Sequence, residues 1–118
     1  MVERMIHVLT LDLADEVAAI AEYEHWHRPG NVPAAVLASI RDAGISQMEI
    51  WRTGNRLVMT MTVTEAFDPV AKTAADLANP DVVAWEARMG QFQRALPQAP
   101  DGSRWTPMAR IFRLTDHA

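Results

Sequence analysis

The sequence predicts an α+β domain in which helices cover an antiparallel sheet. Three observations predict this class: alternating segments rich in branched residues, Ala-rich segments with helical spacing between them, and a tight turn joining two of the strands. The chain has 118 residues, which is enough for one domain with a modest core. We therefore assign residues 1–118 to a single domain.

The first half of the chain predicts one strand followed by two helices. Residues 5–13, MIHVLTLDL, alternate and are rich in branched residues, as strands are. Residues 14–26 contain good helix formers, with acidic residues early, where the helix dipole favours them. Asn31 is the predicted cap of a second helix, with Pro33 in its first turn and Gly44 as its stop.

A hairpin is predicted next. Residues 45–51 and 56–64 form its strands, and Gly54 and Asn55 lie in the turn between them. On the second strand, alternation divides the side chains into two faces. One face carries Leu57, Met59, Met61 and Val63, and the other carries Val58, Thr60, Thr62 and Thr64.

The second half predicts two helices, a loop and a last strand. The helices cover residues 69–77 and 78–96, and the second has Asn79 as its cap, followed by proline. Residues 97–107 are a loop of prolines and small polar residues, and residues 108–114, MARIFRL, form the last strand. Helical spacing in the second helix places four residues on one stripe: Val82, Trp85, Met89 and Phe92.

This order of elements is that of the ferredoxin-like split β-α-β fold. It predicts a four-stranded antiparallel sheet with its helices on one face. The second face and the sheet edge would stay exposed in a monomer. A homodimer of the dimeric α/β-barrel type, joined sheet to sheet or edge to edge, would cover them.

Composition excludes several classes of function. The net charge is -4, and Lys72 is the only lysine, so the chain lacks the basic stripe that nucleic-acid binding requires. There is no cysteine, which excludes disulfides, thiol nucleophiles and thiolate metal sites. The N-terminal segment turns acidic too early for a signal peptide, and no apolar run is long enough to span a membrane. We expect a cytoplasmic protein with no membrane partner.

The segment AEYEHWHRPGN, residues 21–31, concentrates titratable aromatic side chains at one helix end. Tyr23 and His27 are four residues apart, so they lie on one helix face. A helix C-terminus carries partial negative charge, which favours a protonated imidazole. Imidazole titrates at about pH 6.5, so His27 could both give and take a proton at cytoplasmic pH.

The same residues also have structural interpretations. Tyr and His at a helix end are often boundary residues with an apolar body and a wet tip. His25 and His27 do not converge on a helix, which argues against a metal site. Trp85 fits the core as well as a sugar-binding wall. Arg110 shares its predicted strand face with Met108 and Phe112, so it points either to solvent or into a pocket.

Five segments in chain order carry a resemblance that covers most of the chain: YEHWHRP, AAVLASIRDAGISQMEIW, NRLVMTMTV, DVVAWEARM and ARIFRL. By these segments the chain resembles the L-rhamnose mutarotase family of small dimeric ferredoxin-like proteins. The first segment matches that family's Tyr-x-x-x-His pattern followed by a polar residue and proline. The variant HWHRPGN, together with MEIWRTGNRL, is closer to relatives linked to L-fucose use.

The resemblance implies interconversion of the α and β anomers of a 6-deoxy-L-hexose, L-fucose or L-rhamnose, without a cofactor or metal. His27 would transfer the proton by protonating the ring oxygen. Tyr23 would hydrogen-bond the sugar, and Trp85 would form an aromatic wall. Whether His25 shares the proton transfer stays open. The other candidate substrate-binding residues are His25, Trp26, Arg28, Trp51 and Arg110.

Two other classes fit the same fold. One is another dimeric α/β-barrel enzyme, such as a cofactor-free monooxygenase or a lactone isomerase, because fold alone does not determine function. The other is a non-enzymatic domain that binds a small molecule. The sequence contains no nucleophilic-serine, phosphate-loop or dinucleotide motif.

Overall fold

An antiparallel sheet and four α-helices make up the computed structural model, which describes residues 5–117. A short 3-10 helix, Leu114–Asp116, lies near the end of that range. The elements in chain order are β1 (Met5–Leu13), α1 (Val17–Trp26), α2 (Ala34–Asp42), β2 (Ile45–Thr53), β3 (Arg56–Val63), α3 (Pro69–Leu77), α4 (Pro80–Gly90), β4 (Gln93–Arg94) and β5 (Thr106–Pro107).

The sheet has the strand order β2-β3-β1-β4, and β5 also pairs with β1. Every pairing is antiparallel. The turn between β2 and β3 contains Gly54 at a φ of 56°, a left-handed conformation that glycine adopts without steric cost. These findings confirm the predicted ferredoxin-like α+β fold and the predicted hairpin.

The core lies between the sheet and the helices. Leu11 and Leu13 of β1 and Leu57 of β3 are 0%, 1% and 2% exposed. They cluster with Tyr23 of α1 and with Met89 of α4. The alternation predicted for residues 56–64 therefore identifies the buried face correctly, because Leu57 lies in the core.

Three helix boundaries differ from their predictions. The first helix begins at Val17, not at Ala14, after a turn in which the Glu16 N–H donates to the Ala14 carbonyl at 2.8 Å. Pro33 caps α2, and the side chain of Asn31 instead donates to the His25 carbonyl at 2.7 Å. Sequence alone does not reveal that competing acceptor.

The helix predicted over residues 78–96 also ends early. Asn79 caps α4 as predicted, accepting from the N–H groups of Asp81 and Val82. The helix stops at Gly90, because the chain must turn there to bring β4 against β1. Phe92 is buried as its place on the apolar stripe predicts, but it lies beyond the helix.

The prediction that residues 108–114 form the last strand is wrong. The edge of β1 is paired with β4 at Asp12 and Leu13, and with β5 at Leu9 and Thr10. The Met108 N–H donates to the Val8 carbonyl at 2.7 Å, and the chain then leaves the sheet. A strand-like pattern is not enough when the segment pairs with no neighbour, because β propensity depends on cross-strand packing.

The segment that leaves the sheet exposes large apolar side chains. We call residues 108–114 the C-terminal arm. Ile111 is 97% exposed, and Phe112 and Leu114 are exposed as well. Within residues 5–117, no helix combines the length and apolar character needed to cross a membrane.

We expect Leu11→Ala to lower the free energy of unfolding by about 2–5 kcal/mol, because it removes fully buried methyl groups and leaves a cavity. Urea unfolding followed by circular dichroism measures this loss. Val17→Ala is the control, because Val17 is exposed and its truncation should cost at most about 0.5 kcal/mol. Equal losses in the two variants would contradict the assignment of Leu11 to the core.

Candidate functional site

Tyr23 and His27 meet at the C-terminal end of α1, one turn apart as predicted. Their ring centroids are 4.3 Å apart, and the rings are tilted by 30°. Tyr23 is 3% exposed and belongs to the core cluster, which holds the last turn of α1 in place. His27 is the C-cap of the helix and is partly buried.

One hydrogen bond determines which nitrogen of His27 carries the proton in the neutral ring. Nδ1 lies 2.7 Å from the main-chain carbonyl oxygen of Tyr23. A carbonyl oxygen only accepts, so Nδ1 carries the hydrogen and donates it. The lone pair of neutral His27 is therefore on Nε2, and the ring is oriented as a proton acceptor.

Burial lowers the pKa of His27 from its ordinary value of 6.5, and the bond to the Tyr23 carbonyl opposes that change. Desolvation disfavours the charged imidazolium and is the larger of the two effects. The helix end does favour the protonated ring, as expected, through the Tyr23 carbonyl, but burial outweighs it. At neutral pH, His27 is an uncharged base.

Trp85 of α4 also contacts the imidazole. Its ring centroid is 5.4 Å from that of His27, with the planes inclined at 67°. Trp85 also packs against the core cluster. Trp85 thus packs on the core, as its place on the apolar stripe predicts, and its predicted role as an aromatic wall for a sugar stays a prediction.

Gln93 of β4 contacts the phenol of Tyr23 from below. Its Nε2 donates to the Tyr23 hydroxyl oxygen at 3.1 Å, and both side chains are buried. Burial raises the pKa of Tyr23, and the hydrogen bond from Gln93 opposes that increase. Tyr23 is therefore a neutral phenol at physiological pH.

These side chains border a cavity of about 560 Å³ between the sheet and the helices. Such a volume lies within the range of about 300–1,000 Å³ typical of small-molecule sites. The sheet supplies an apolar floor that includes Met48, Ile50, Met59 and Met61. The walls include Tyr23, His27, Trp85, Glu86, Gln93 and Trp105.

Sequence reasoning missed three of these wall residues. Trp105 has the aromatic character that could have indicated it, but its loop had no predicted position relative to the helix. Glu86 neighbours Trp85 along α4. No sequence pattern marks Gln93 as a site residue. Its contact with the Tyr23 hydroxyl arises because α4 ends at Gly90, which places Gln93 in strand β4.

An ion pair holds the Trp105 segment against α4. Nη2 of Arg104 donates to the main-chain carbonyl of Glu86 at 3.2 Å and to its Oε2 at 2.9 Å. The guanidinium lies so close to Gly90 that a Cβ there would stand 2.0 Å from Nη1. Gly90 therefore leaves room for the arginine that anchors this wall.

Trp51 lies beside the same histidine but outside the main cavity. It is 63% exposed and borders a second depression of about 370 Å³, which Tyr23, His27 and Arg52 also border. Arg52 forms an ion pair with Glu24 at this rim. Trp51 thus shares this second depression with Tyr23 and His27, outside the main cavity.

The structure does not bring the remaining predicted site residues to the main cavity. His25 and Arg28 are exposed, and neither borders it. Trp26 packs against the core, with the guanidinium of Arg88 4.1 Å from its ring centroid. Arg110 lies on the exposed C-terminal arm, so the strand face that would have aimed it does not exist.

Metal-ligating side chains do not cluster in the part of the chain that the structure describes. There, no three His, Cys, Asp or Glu residues lie close enough together to hold an ion. The ionisable groups that border the main cavity include the imidazole of His27, the phenol of Tyr23 and the carboxyl groups of Asp76 and Glu86.

Known proteins are similar in sequence to this chain over nearly its whole length. Residues 6–114 match the family of L-rhamnose mutarotases. The chain belongs to that family. The L-fucose mutarotase of Xanthomonas campestris pv. campestris is 50% identical over 114 residues, covering 97% of this chain and 90% of that one.

The fold of this chain also matches a solved structure. The crystal structure of the L-rhamnose mutarotase from Formosa agariphila superposes with a TM-score of 0.61 at 18% identity. The match covers 93% of this chain and 98% of the other. At this identity, the likeness shows a shared fold.

We expect the imidazole of His27 to titrate with a pKa below 6.5, because burial disfavours its charged form. A pH series of heteronuclear NMR spectra measures this value, and the nitrogen shifts at neutral pH should show hydrogen on Nδ1. A spectrum of His27→Gln assigns the resonance by its disappearance. A pKa at or above 6.5 would contradict the conclusion that burial dominates.

Proposed function

We propose that this protein interconverts the α and β anomers of a 6-deoxy-L-hexose. The observation that carries the proposal is the juxtaposition of Tyr23 and His27 on the wall of one cavity, with the histidine lone pair fixed on Nε2. Membership of the L-rhamnose mutarotase family supports the same reaction.

The proposed chemistry is the transfer of one proton between two oxygens of the sugar. Nε2 of His27 accepts the proton of the anomeric hydroxyl, and the bond between C1 and the ring oxygen breaks. The imidazolium then delivers that proton to the ring oxygen, and the open-chain aldehyde results. Rotation about the C1–C2 bond and reversal of these steps produce the other anomer.

In these steps His27 protonates the ring oxygen, as expected from the sequence, but only after it has accepted the anomeric proton. Its pKa is lowered, so the resting ring is neutral and must accept a proton before it can give one. Tyr23 has the complementary role of donor. Its neutral hydroxyl stabilises charge that develops on the ring oxygen as the bond breaks.

The lining of the cavity supports a 6-deoxy sugar. Such a sugar carries a methyl group where an ordinary hexose carries a hydroxymethyl, and methyl groups pack well on the methionine side chains of the floor. A hydroxyl placed there would lose its hydrogen bonds to water, at a cost of about 1–3 kcal/mol. Trp85 offers an aromatic face to the C–H groups of a ring.

We propose L-fucose as the preferred sugar. The 50% identical relative is an L-fucose mutarotase, and the relative with the shared fold, an L-rhamnose mutarotase, is only 18% identical. These two sugars differ at C2 and C4. The comparison of rates on both sugars is therefore the direct test of this preference.

We expect the protein to accelerate exchange between the anomers of L-fucose, measured by NMR saturation transfer. His27→Gln should lower that acceleration by about 10²–10⁴-fold, because it removes the proton carrier and keeps a side chain of similar length. His25→Gln should retain the wild-type rate, because His25 is exposed outside the cavity. Equal losses in both variants would contradict the choice of His27.

The rate of anomer exchange should also fall as the pH is lowered. The base form of His27 predominates above its pKa, so exchange should decrease as the pH drops below 6.5 and through the lowered pKa of His27.

Other outcomes would favour the alternative classes of protein. Wild-type protein without any rate enhancement would favour a non-enzymatic binding domain. Dioxygen consumption or turnover of a lactone would favour the other dimeric α/β-barrel enzymes.

We also propose that the protein is a homodimer. Its C-terminal arm exposes Ile111, Phe112 and Leu114, and strand β2 exposes Trp51. Large apolar side chains that cluster on an exposed segment, as on the C-terminal arm, are typical of an interface. A second copy of the chain would cover them through the sheet-to-sheet or edge-to-edge contact that the fold predicts.

We expect light scattering to give twice the chain mass of 13.2 kDa. Ile111→Asp should shift the population toward monomer, because a buried unpaired carboxylate is strongly disfavoured at an apolar interface. Val70→Asp is the matched control, since Val70 is also exposed but lies on α3, away from the arm. A monomer at every concentration tested would refute the proposal.

The cytoplasmic location and the assignment of residues 1–118 to a single domain stay predictions.

A further inference from the structure

We infer that Gln93 is a positioning residue that makes the Tyr23 hydroxyl a hydrogen-bond donor to the bound sugar. The inference deepens the proposed function and rests on it. Its basis is the 3.1 Å bond from Gln93 Nε2 to the phenol oxygen, at the wall of the cavity that His27 also borders.

The direction of this hydrogen bond is the first step of the argument. The amide nitrogen can only donate, so the Tyr23 oxygen accepts, and the phenol keeps its own hydrogen for another partner. Among the polar groups of residues 5–117, Gln93 is the side chain found bonded to this hydroxyl. The phenol hydrogen is therefore available to a ligand in the cavity.

The surroundings of Gln93 favour this orientation of its amide. Its Oε1 is buried and has no hydrogen-bond partner among the described residues. Turning the amide over would pair Oε1 with the phenol but leave the NH₂ group buried and unpaired instead. Buried unpaired N–H groups are rarer in proteins than under-satisfied carbonyl oxygens. The donating orientation is the better of the two.

The backbone holds Gln93 firmly in this place. Gln93 pairs with Leu13 in the sheet, and the Ala14 N–H donates to the Phe92 carbonyl at 2.8 Å. Gln93 is 7% exposed, so its amide has little freedom to turn toward water. The short strand β4 thus holds the amide within hydrogen-bond distance of the phenol.

The consequence is a matched pair of groups facing the sugar. His27 presents an acceptor, because the Tyr23 carbonyl fixes its hydrogen on Nδ1. Tyr23 presents a donor, because Gln93 occupies the phenol oxygen. Ring opening needs an acceptor at the anomeric hydroxyl and a donor at the ring oxygen, so the two bonds together set the polarity of the site.

Gln93→Glu reverses this polarity with almost no change of shape. Above the pKa of the introduced carboxyl group, which burial raises, the carboxylate only accepts, so Tyr23 would donate to it and would present an acceptor to the sugar. The variant is therefore measured at a pH where this group is ionised. We expect kcat to fall by about 10²–10³-fold, as when one stabilising donor is lost, with a smaller change in KM. Gln93→Met, which removes the bond and keeps the length, should lose less activity, since the phenol can still turn toward the sugar.

A spectroscopic measurement tests the inference independently of activity. Tyr23 is the only tyrosine of the chain, so the tyrosine Fermi doublet in the Raman spectrum reports on it alone. The intensity ratio should indicate an accepting phenol oxygen in the wild type and a donating hydroxyl in Gln93→Glu. Gln91→Glu is the matched control, because Gln91 is exposed and should leave both the spectrum and kcat unchanged.

The outcomes separate this inference from the proposed function. A phenol that only donates in the sugar-free wild type, or a Gln93→Glu variant as active as Gln91→Glu, would overturn the role of Gln93 even if the protein is a mutarotase. The expected spectra without anomer exchange by the wild type would reject the proposed function and, with it, a catalytic consequence of the Gln93 bond.

Discussion

The hydrogen bond between the His27 ring and the Tyr23 carbonyl is the constraint on which the chemistry of this site depends. The last carbonyls of a helix have no N–H partner within the helix, so one of them is free to accept from a side chain one turn later. In α1 that acceptor is used by Nδ1 at 2.7 Å. A common feature of helix ends thereby selects one tautomer of the imidazole, and the selected tautomer directs its lone pair away from the helix.

The same helix end acts on the imidazole in two opposite ways. The free carbonyls favour a positive charge, and the enclosure by Tyr23 and Trp85 disfavours it. Burial is the larger effect, so the pKa of His27 falls. A group that must carry a proton from one oxygen to another benefits from this balance. The carbonyl limits the loss of basicity that burial alone would cause, and the ring can still be charged transiently.

Sequence patterns predicted what depends on local spacing and failed where distant segments decide. Tyr23 and His27 are one turn apart, so their proximity follows from helical geometry alone, as does the burial of Leu57 from strand alternation. The C-terminal arm has the alternation of a strand, but β5 and β4 already pair with the central strand. Gln93 could not be found, because its contact with Tyr23 spans 70 positions and has no periodic signal.

In the proposed site, the residues that set the reaction and the residues that set the substrate come from different parts of the chain. In the proposed mechanism, the acid–base pair is built within one turn of α1, and the groups that would surround the sugar come from β2, β3, α4 and the segment that Arg104 anchors. On this proposal, substitutions in those walls alter which hydroxyls are matched without moving the imidazole or its tautomer-setting bond. Gln93 is the exception, because it is a wall residue that bonds to Tyr23 directly. The proposed mechanism therefore requires that a change at Gln93 alter the reaction itself, whereas changes at Trp105 or Met59 alter the choice of sugar.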